Sequence, residues 1–191
     1  MNHFFRLLPL LAASGLLLGT LGLSATAQAD PVSMSAIEQQ LSRQAHVEGT
    51  FVQKRWLHDM QTTLTSHGHY EFDRGEQVRW TLTSPVQETM TLDDTGMTRN
   101  GKPVKDDPGG VARLIMQLLD GDLGALQERF TIALSGTTGH WQARLTPRSD
   151  SMKRYLERID LAGGDQLDTL AMHLANEDRL DIRLDQTQSD S

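Results

Sequence analysis

The chain contains no cysteine. That excludes disulfides and thiolate chemistry, and it excludes lipid attachment at a signal-peptide cysteine. Beyond the first residues there is no apolar run near the ~20 residues needed to cross a bilayer. An excess of positive charge is missing too. With 18 basic and 25 acidic side chains the net charge is −7, which disfavours nucleic acid and anionic membrane surfaces as partners. Motifs for nucleophilic or phosphate chemistry are equally absent: no Gly-x-Ser-x-Gly elbow, no phosphate loop, no His-Glu-x-x-His. Asp120-Gly121-Asp122 is too sparse for a calcium loop.

What is present begins with Arg6, an apolar stretch from Leu7 to Leu23, and the small-x-small sequence Ala27-Gln28-Ala29 before Asp30-Pro31. That order predicts a cleavable secretory signal over residues 1–29 and a single mature domain over 30–191. Removing Arg6 leaves 17 basic and 25 acidic groups, net −8. This balance suits a protein that stays in solution in the envelope, and the length suffices for a core without staples.

In the mature part, Ser35-Ala36-Ile37-Glu38 predicts a capping box and a short helix to about Ala45. From Gly49 the period changes to two. Strands are expected at about 49–57 and 64–72, then around Val78-x-Trp80-x-Leu82, Met90-x-Leu92 and Met97, with a tight hairpin at Asn100-Gly101. Val111, Leu114, Ile115, Leu118 and Leu119 follow at helical spacing behind Asp107-Pro108-Gly109-Gly110. A second helical piece runs to about Arg129. Strands resume at Phe130-x-Ile132-x-Leu134, Trp141–Leu145, 155–161, 166–174 and 179–184. The fold class is mainly β: one curved antiparallel sheet of about ten strands, its concave face covered by helices.

His67, His69 and Glu71 share one strand face, the one arrangement that invites a metal. Ligands at i, i+2 and i+4 spread over ~13 Å of strand, so a solvated polar face explains them better. No cofactor and no catalytic residue is expected.

Phe51-Val52-Gln53, then Gly68-His69-Tyr70-Glu71-Phe72-Asp73-Arg74, then Val78-Arg79-Trp80 closed by Ser84-Pro85, resemble the LolA family of periplasmic lipoprotein carriers. The likeness continues through Met90-Thr91-Leu92-Asp93-Asp94-Thr95-Gly96 and returns at Leu145-Thr146-Pro147. The chain's short end after Leu184 marks it as a divergent branch. The resemblance implies an incomplete β-barrel with an apolar interior for acyl chains. It implies a periplasmic monomer that takes a lipoprotein or other acylated cargo from an inner-membrane donor to an outer-membrane acceptor. Cavity candidates are Tyr70, Phe72, Val78, Trp80, Leu82, Met90, Leu92, Ile132 and Leu134. Lid candidates are Leu114, Ile115, Leu118 and Leu119, hinged on Gly109-Gly110 and Gly121. Arg74 matches the arginine that latches the lid in that family. Met90, Met97, Met116 and Met172 suit a lining that must adapt to varied chains. The alternative is an envelope sensor or assembly factor that binds a peptide in the same groove.

Overall fold

The computed structural model describes residues 32–104, 117 and 123–187. The lid candidates Leu114, Ile115, Leu118 and Leu119, with Met116 and the glycines at 109, 110 and 121, lie outside them.

The first helix, α1 (Met34–Leu41), is capped by Ser33, whose extended backbone lets its hydroxyl accept the Ala36 N–H at 3.2 Å. The expected capping box at Ser35 is therefore displaced by two residues. Glu38, its other half, accepts the N–H of Gly124 at 2.8 Å instead. Nor does the helix reach Ala45. The Ser42 N–H closes on the Glu38 carbonyl (2.9 Å), while the Ala45 carbonyl already accepts the backbone N–H of Arg74 (2.9 Å).

Six strands follow: β1 (His46–Leu57), β2 (Thr62–Asp73), β3 (Gln77–Ser84), β4 (Glu88–Asp93), β5 (Gly96–Arg99) and β6 (Lys102–Pro103). A short helix α2 (Leu123–Gln127) precedes β7 (Phe130–Thr137) and β8 (His140–Pro147). Helix α3 (Asp150–Lys153), capped by Ser149, leads to β9 (Leu156–Gly163), β10 (Leu167–Leu174) and β11 (Arg179–Gln186). The eleven strands form one antiparallel sheet in the order β6-β5-β4-β3-β2-β1-β11-β10-β9-β8-β7. It is open between β6 and β7, and the first and last strands of the fold pair at its centre. The strand unforeseen from the sequence is β6, whose two residues are too few for a period. Asn100 (φ 49) and Gly101 (φ 74) both sit in the left-handed region, as the hairpin between β5 and β6 requires.

Alternation fixes which side chains face inward. Val47, Phe72, Val78, Leu92 and Met97 lie opposite one another in successive strands. Tyr70, Trp80 and Met90 form the next row. Gly68 is set by a close approach. A Cβ there would stand 2.0 Å from the Thr81 carbonyl oxygen and 2.6 Å from the Phe51 ring. The ring of Phe51, 1 % exposed, is thus seated over the glycine and stacks on Trp80 at 3.7 Å between centroids.

The buried residues fall into three groups. The largest joins Ile37 of α1 and Leu123 and Leu126 of α2 to Phe130, Trp141, Leu145 and Ile159 of β7–β9. Burying each large side chain contributes roughly 1.5–3 kcal/mol. This half is a solid core. The other half holds two smaller groups, Phe72-Val78-Leu92 and Phe51-Tyr70-Leu184.

Gly68→Val is expected to destabilise the protein by about 1–3 kcal/mol through overpacking against backbone. Thermal unfolding followed by circular dichroism checks this; an unchanged Tm contradicts the seating of Phe51.

Candidate functional site

The end of the sheet crossed by α1 is built by the turns β2–β3, β7–β8 and β9–β10. Beneath the C-terminal half of α1 lies a cavity of about 40 Å³. Its apolar wall comprises Leu41, Val47, Tyr70, Phe72, Leu167 and Leu184. Its polar rim is Gln44, Arg74, Asp165, Gln166 and Gln186. A drug-sized ligand needs ~300–1,000 Å³, so this volume takes little more than one water molecule.

Two side chains tie α1 down across that cavity. A helix ends with carbonyls that lack intrahelical partners, and α1 has no basic residue in its last turn. Arg74, in the β2–β3 turn, supplies the cation: its guanidinium donates to the carbonyls of Leu41 and Gln44, the latter at 3.1 Å. It also lies over the Phe72 ring, 5.6 Å from the centroid. On the opposite side Gln40, 6 % exposed, donates its side-chain amide to the Gly164 carbonyl and to Asp165 Oδ1 (3.0 Å). The Gly164 carbonyl also accepts the Trp141 indole N–H at 2.8 Å. Gln186 and Gln44 join by their side-chain amides at 2.9 Å.

Of the residues expected in a cavity, Tyr70 and Phe72 line this one. Val78 and Leu92 are buried beside Phe72. Trp80 and Leu82 pack on the Phe51-Tyr70-Leu184 group, and Met90 is half-buried in the same row. Ile132 and Leu134 sit apart, half-buried on β7 against the solid core under α1 and α2. Arg74 bonds to α1. The sequence reading missed Leu41, Val47, Leu167 and Leu184 as lining residues, and Gln40 altogether. The first four show alternation or helical spacing, so parity was the available signal. A buried glutamine has none.

His67 and His69 face the convex side, where Glu71 is paired with Arg79 at 2.9 Å. Among the described residues no group of three or more His, Asp or Glu is placed to hold a metal, and no helix is long and apolar enough to cross a membrane.

Burial, with the Asp185 and Asp168 carboxylates adding to it, pushes the Tyr70 phenol from 10.0 to about 12. Folding therefore favours the protonated phenol. Its contribution is complete below pH 10 and is lost as pH rises towards 12. Near the Arg74 turn, a 2.6 Å contact joins His46 Nδ1 to Asp73 Oδ1. That hydrogen bond raises His46 above 6.5 and, with one from Gln77, holds Asp73 below 3.8. The His46 contribution fades as pH rises through its raised value; that of Asp73 fades as pH falls through its lowered one. Both are whole between pH 3.8 and 6.5.

Two outcomes follow. In a Tyr155→Phe background, ultraviolet titration of the remaining tyrosine should show a midpoint near 12; a midpoint at 10 contradicts its burial. Arg74→Leu and Gln40→Leu should each lower stability by about 1–3 kcal/mol. Hydrogen exchange at the amides of residues 38–44 should quicken in both, while β8 and β9 stay protected. Unchanged exchange in α1 contradicts the tether assignment.

Comparison with known proteins gives a consistent frame. The sequence profile of the family described as "Outer membrane lipoprotein carrier protein LolA-like" matches residues 25–173. No curated protein sequence matches significantly. Among solved structures, the chain is similar to a LolA superfamily protein from Nitrosomonas europaea (10 % identity, TM-score 0.46), covering 84 % of this chain and 95 % of that one. It is also similar to MucB (16 % identity, TM-score 0.46), covering 83 % of this chain but 60 % of MucB. The MucA/MucB complex of Pseudomonas aeruginosa matches at 13 % identity and TM-score 0.41, over 83 % of this chain and 57 % of that chain. The chain therefore spans well under two thirds of the MucB length. The family profile covers most of the sequence and describes carriers rather than enzymes, and the fold is an open antiparallel sheet with helices. The chain belongs to the LolA-like family of outer membrane lipoprotein carrier proteins.

Proposed function

We propose that this protein is a periplasmic carrier that shields the acyl chain of a lipoprotein or another lipid-like cargo, exported by residues 1–29 and functioning as residues 30–191. The observation that carries the reading is the combination of an apolar sheet face, a narrow cavity of about 40 Å³ and a helix held over it by hydrogen bonds at its margins. The C-terminal end of such a helix can lift while Ile37 stays in the core. Magnitudes favour this. A long acyl chain gains ~0.8 kcal/mol per buried methylene, on the order of 10 kcal/mol in all. The Arg74 and Gln40 tethers together contribute roughly 2–6 kcal/mol. Cargo can therefore displace them, and their return on release closes the empty carrier.

In this scheme Tyr70, Phe72, Val78, Trp80, Leu82, Met90 and Leu92 line the opened groove. Ile132 and Leu134 form the far wall, Arg74 latches α1, and Leu114, Ile115, Leu118 and Leu119 form the lid. A donor at the inner membrane and an acceptor at the outer membrane would flank the transfer. A second reading is a sensor or assembly factor that receives a peptide in the same groove.

The absence of cysteine makes the test clean. Gln44→Cys with Gln186→Cys, joined by a short bifunctional thiol crosslinker, fixes the loop after α1 to β11. Uptake of a fluorescent fatty-acid probe should fall at least ten-fold on crosslinking and recover fully when a cleavable linker is cut. Equal uptake in both states contradicts the proposal. A protein that takes no probe in either state but binds a hydrophobic peptide supports the sensor reading.

A further inference from the structure

The large hydrophobic side chains that stand exposed among the described residues are Met60 (70 %), Leu64 (52 %), Val86 (64 %) and Tyr155 (68 %). All four lie at the end of the sheet opposite α1. Met60 is in the β1–β2 turn, and Leu64 is opposite Arg55 at the start of β2. Val86 is in the β3–β4 turn, which the pairing of His67 with Ser84 sets beside the middle of β2. Tyr155 immediately precedes β9. Hydrogen bonds join the β1–β2 turn to the segment before β9 through the β10–β11 turn. The His58 N–H of the β1–β2 turn donates to Asp178 in the β10–β11 turn at 2.8 Å. In that same turn the Ala175 N–H donates to the Tyr155 carbonyl at 3.1 Å.

Charge is sorted along the same axis. Cutting each strand at its midpoint divides the described residues in two. The half bearing these four side chains has 11 basic and 8 acidic side chains, net +3. The half bearing α1 has 4 basic and 11 acidic, net −7. Arg99, Lys102, Lys153 and Arg154 stand at or beside the connections of the positive end. The described residues thus carry their charge unevenly between the two ends of the sheet, a feature that overall composition hides.

We propose that the positive end docks on the surface of a bilayer containing anionic phospholipid, with the α1 end facing away. The sorting of charge between the two ends of the sheet favours a lipid surface. The positive half is drawn to anionic headgroups and the acidic half is repelled, so the field orients the approach. Each apolar tip reaches only the headgroup boundary, and the net charge is small, so the contact is weak and salt-sensitive. The inference goes beyond the carrier reading and needs no chain inside the protein.

Flotation of the full mature chain with vesicles tests it. Binding to phosphatidylglycerol/phosphatidylcholine vesicles at low ionic strength should exceed binding to pure phosphatidylcholine at least ten-fold, and high salt should abolish it. The Met60→Ser/Val86→Ser double variant, altered only at exposed turn positions, should lose at least five-fold of the flotation. Its fatty-acid uptake should be unchanged, which separates docking from carriage. Wild-type protein that stays unbound on both vesicles overturns the proposal, as does equal binding to both or a double variant that floats like wild type. Capture of a protein partner by the positive end without vesicle binding also overturns it.

Discussion

An antiparallel sheet that curls without closing leaves an apolar concave face, and water must be kept from it by something other than the sheet. In this molecule α1 performs part of that task, and the forces holding it are unevenly placed. Ile37 anchors it in the solid core shared with α2 and β7–β9. Its C-terminal half packs Leu41 on the edge of that core and adds hydrogen bonds from Arg74 and Gln40. Hydrophobic burial is non-directional and grows with area, whereas a few hydrogen bonds form or break at fixed points. A helix whose side-chain hydrogen bonds gather at its C-terminal end, with Ile37 deepest in the core, has a natural pivot at Ile37.

The two halves of the sheet differ accordingly. Under α1 and α2 Phe130, Trp141, Ala143, Leu145, Ile159 and Leu161 interlock with almost no exposure, and the glycine at 163 lets Trp141 press against the β9–β10 turn. On β1–β4 the buried residues form two small groups separated by half-buried aromatics and methionines. Phe51, Trp80 and Tyr70 stack in sequence across three strands, at 3.7 and 6.0 Å between centroids. That region holds apolar surface with a modest number of fixed contacts, which is where an adaptable lining belongs.

Much of this was legible in the sequence because β-structure writes its parity directly. Tyr70, Phe72, Val78, Trp80 and Leu92 alternate with polar neighbours, and the observed register puts them on one face. The tight hairpin at Asn100-Gly101 was equally readable, since both residues must adopt positive φ. Long-range pairing was not readable. Nothing local tells that Ile132 and Leu134 belong to a different packing group from Tyr70, because that depends on strand order. Ser33 rather than Ser35 caps α1, a choice between two like residues that no local pattern distinguishes. Gln40 carries no pattern at all; its role comes from a turn more than a hundred residues away. The sorting of charge to opposite ends is likewise a product of topology, since alternating strand direction brings distant basic residues to one end.

The central claim is that the space between α1 and the sheet opens for someone else's hydrocarbon. Native mass spectrometry of the full protein, purified from its producing cell without detergent, tests this most directly. The account predicts a bound species of one acyl-bearing molecule per chain, released as extractable lipid on denaturation. A protein that is uniformly bare, or that carries only a peptide in that space, would contradict it.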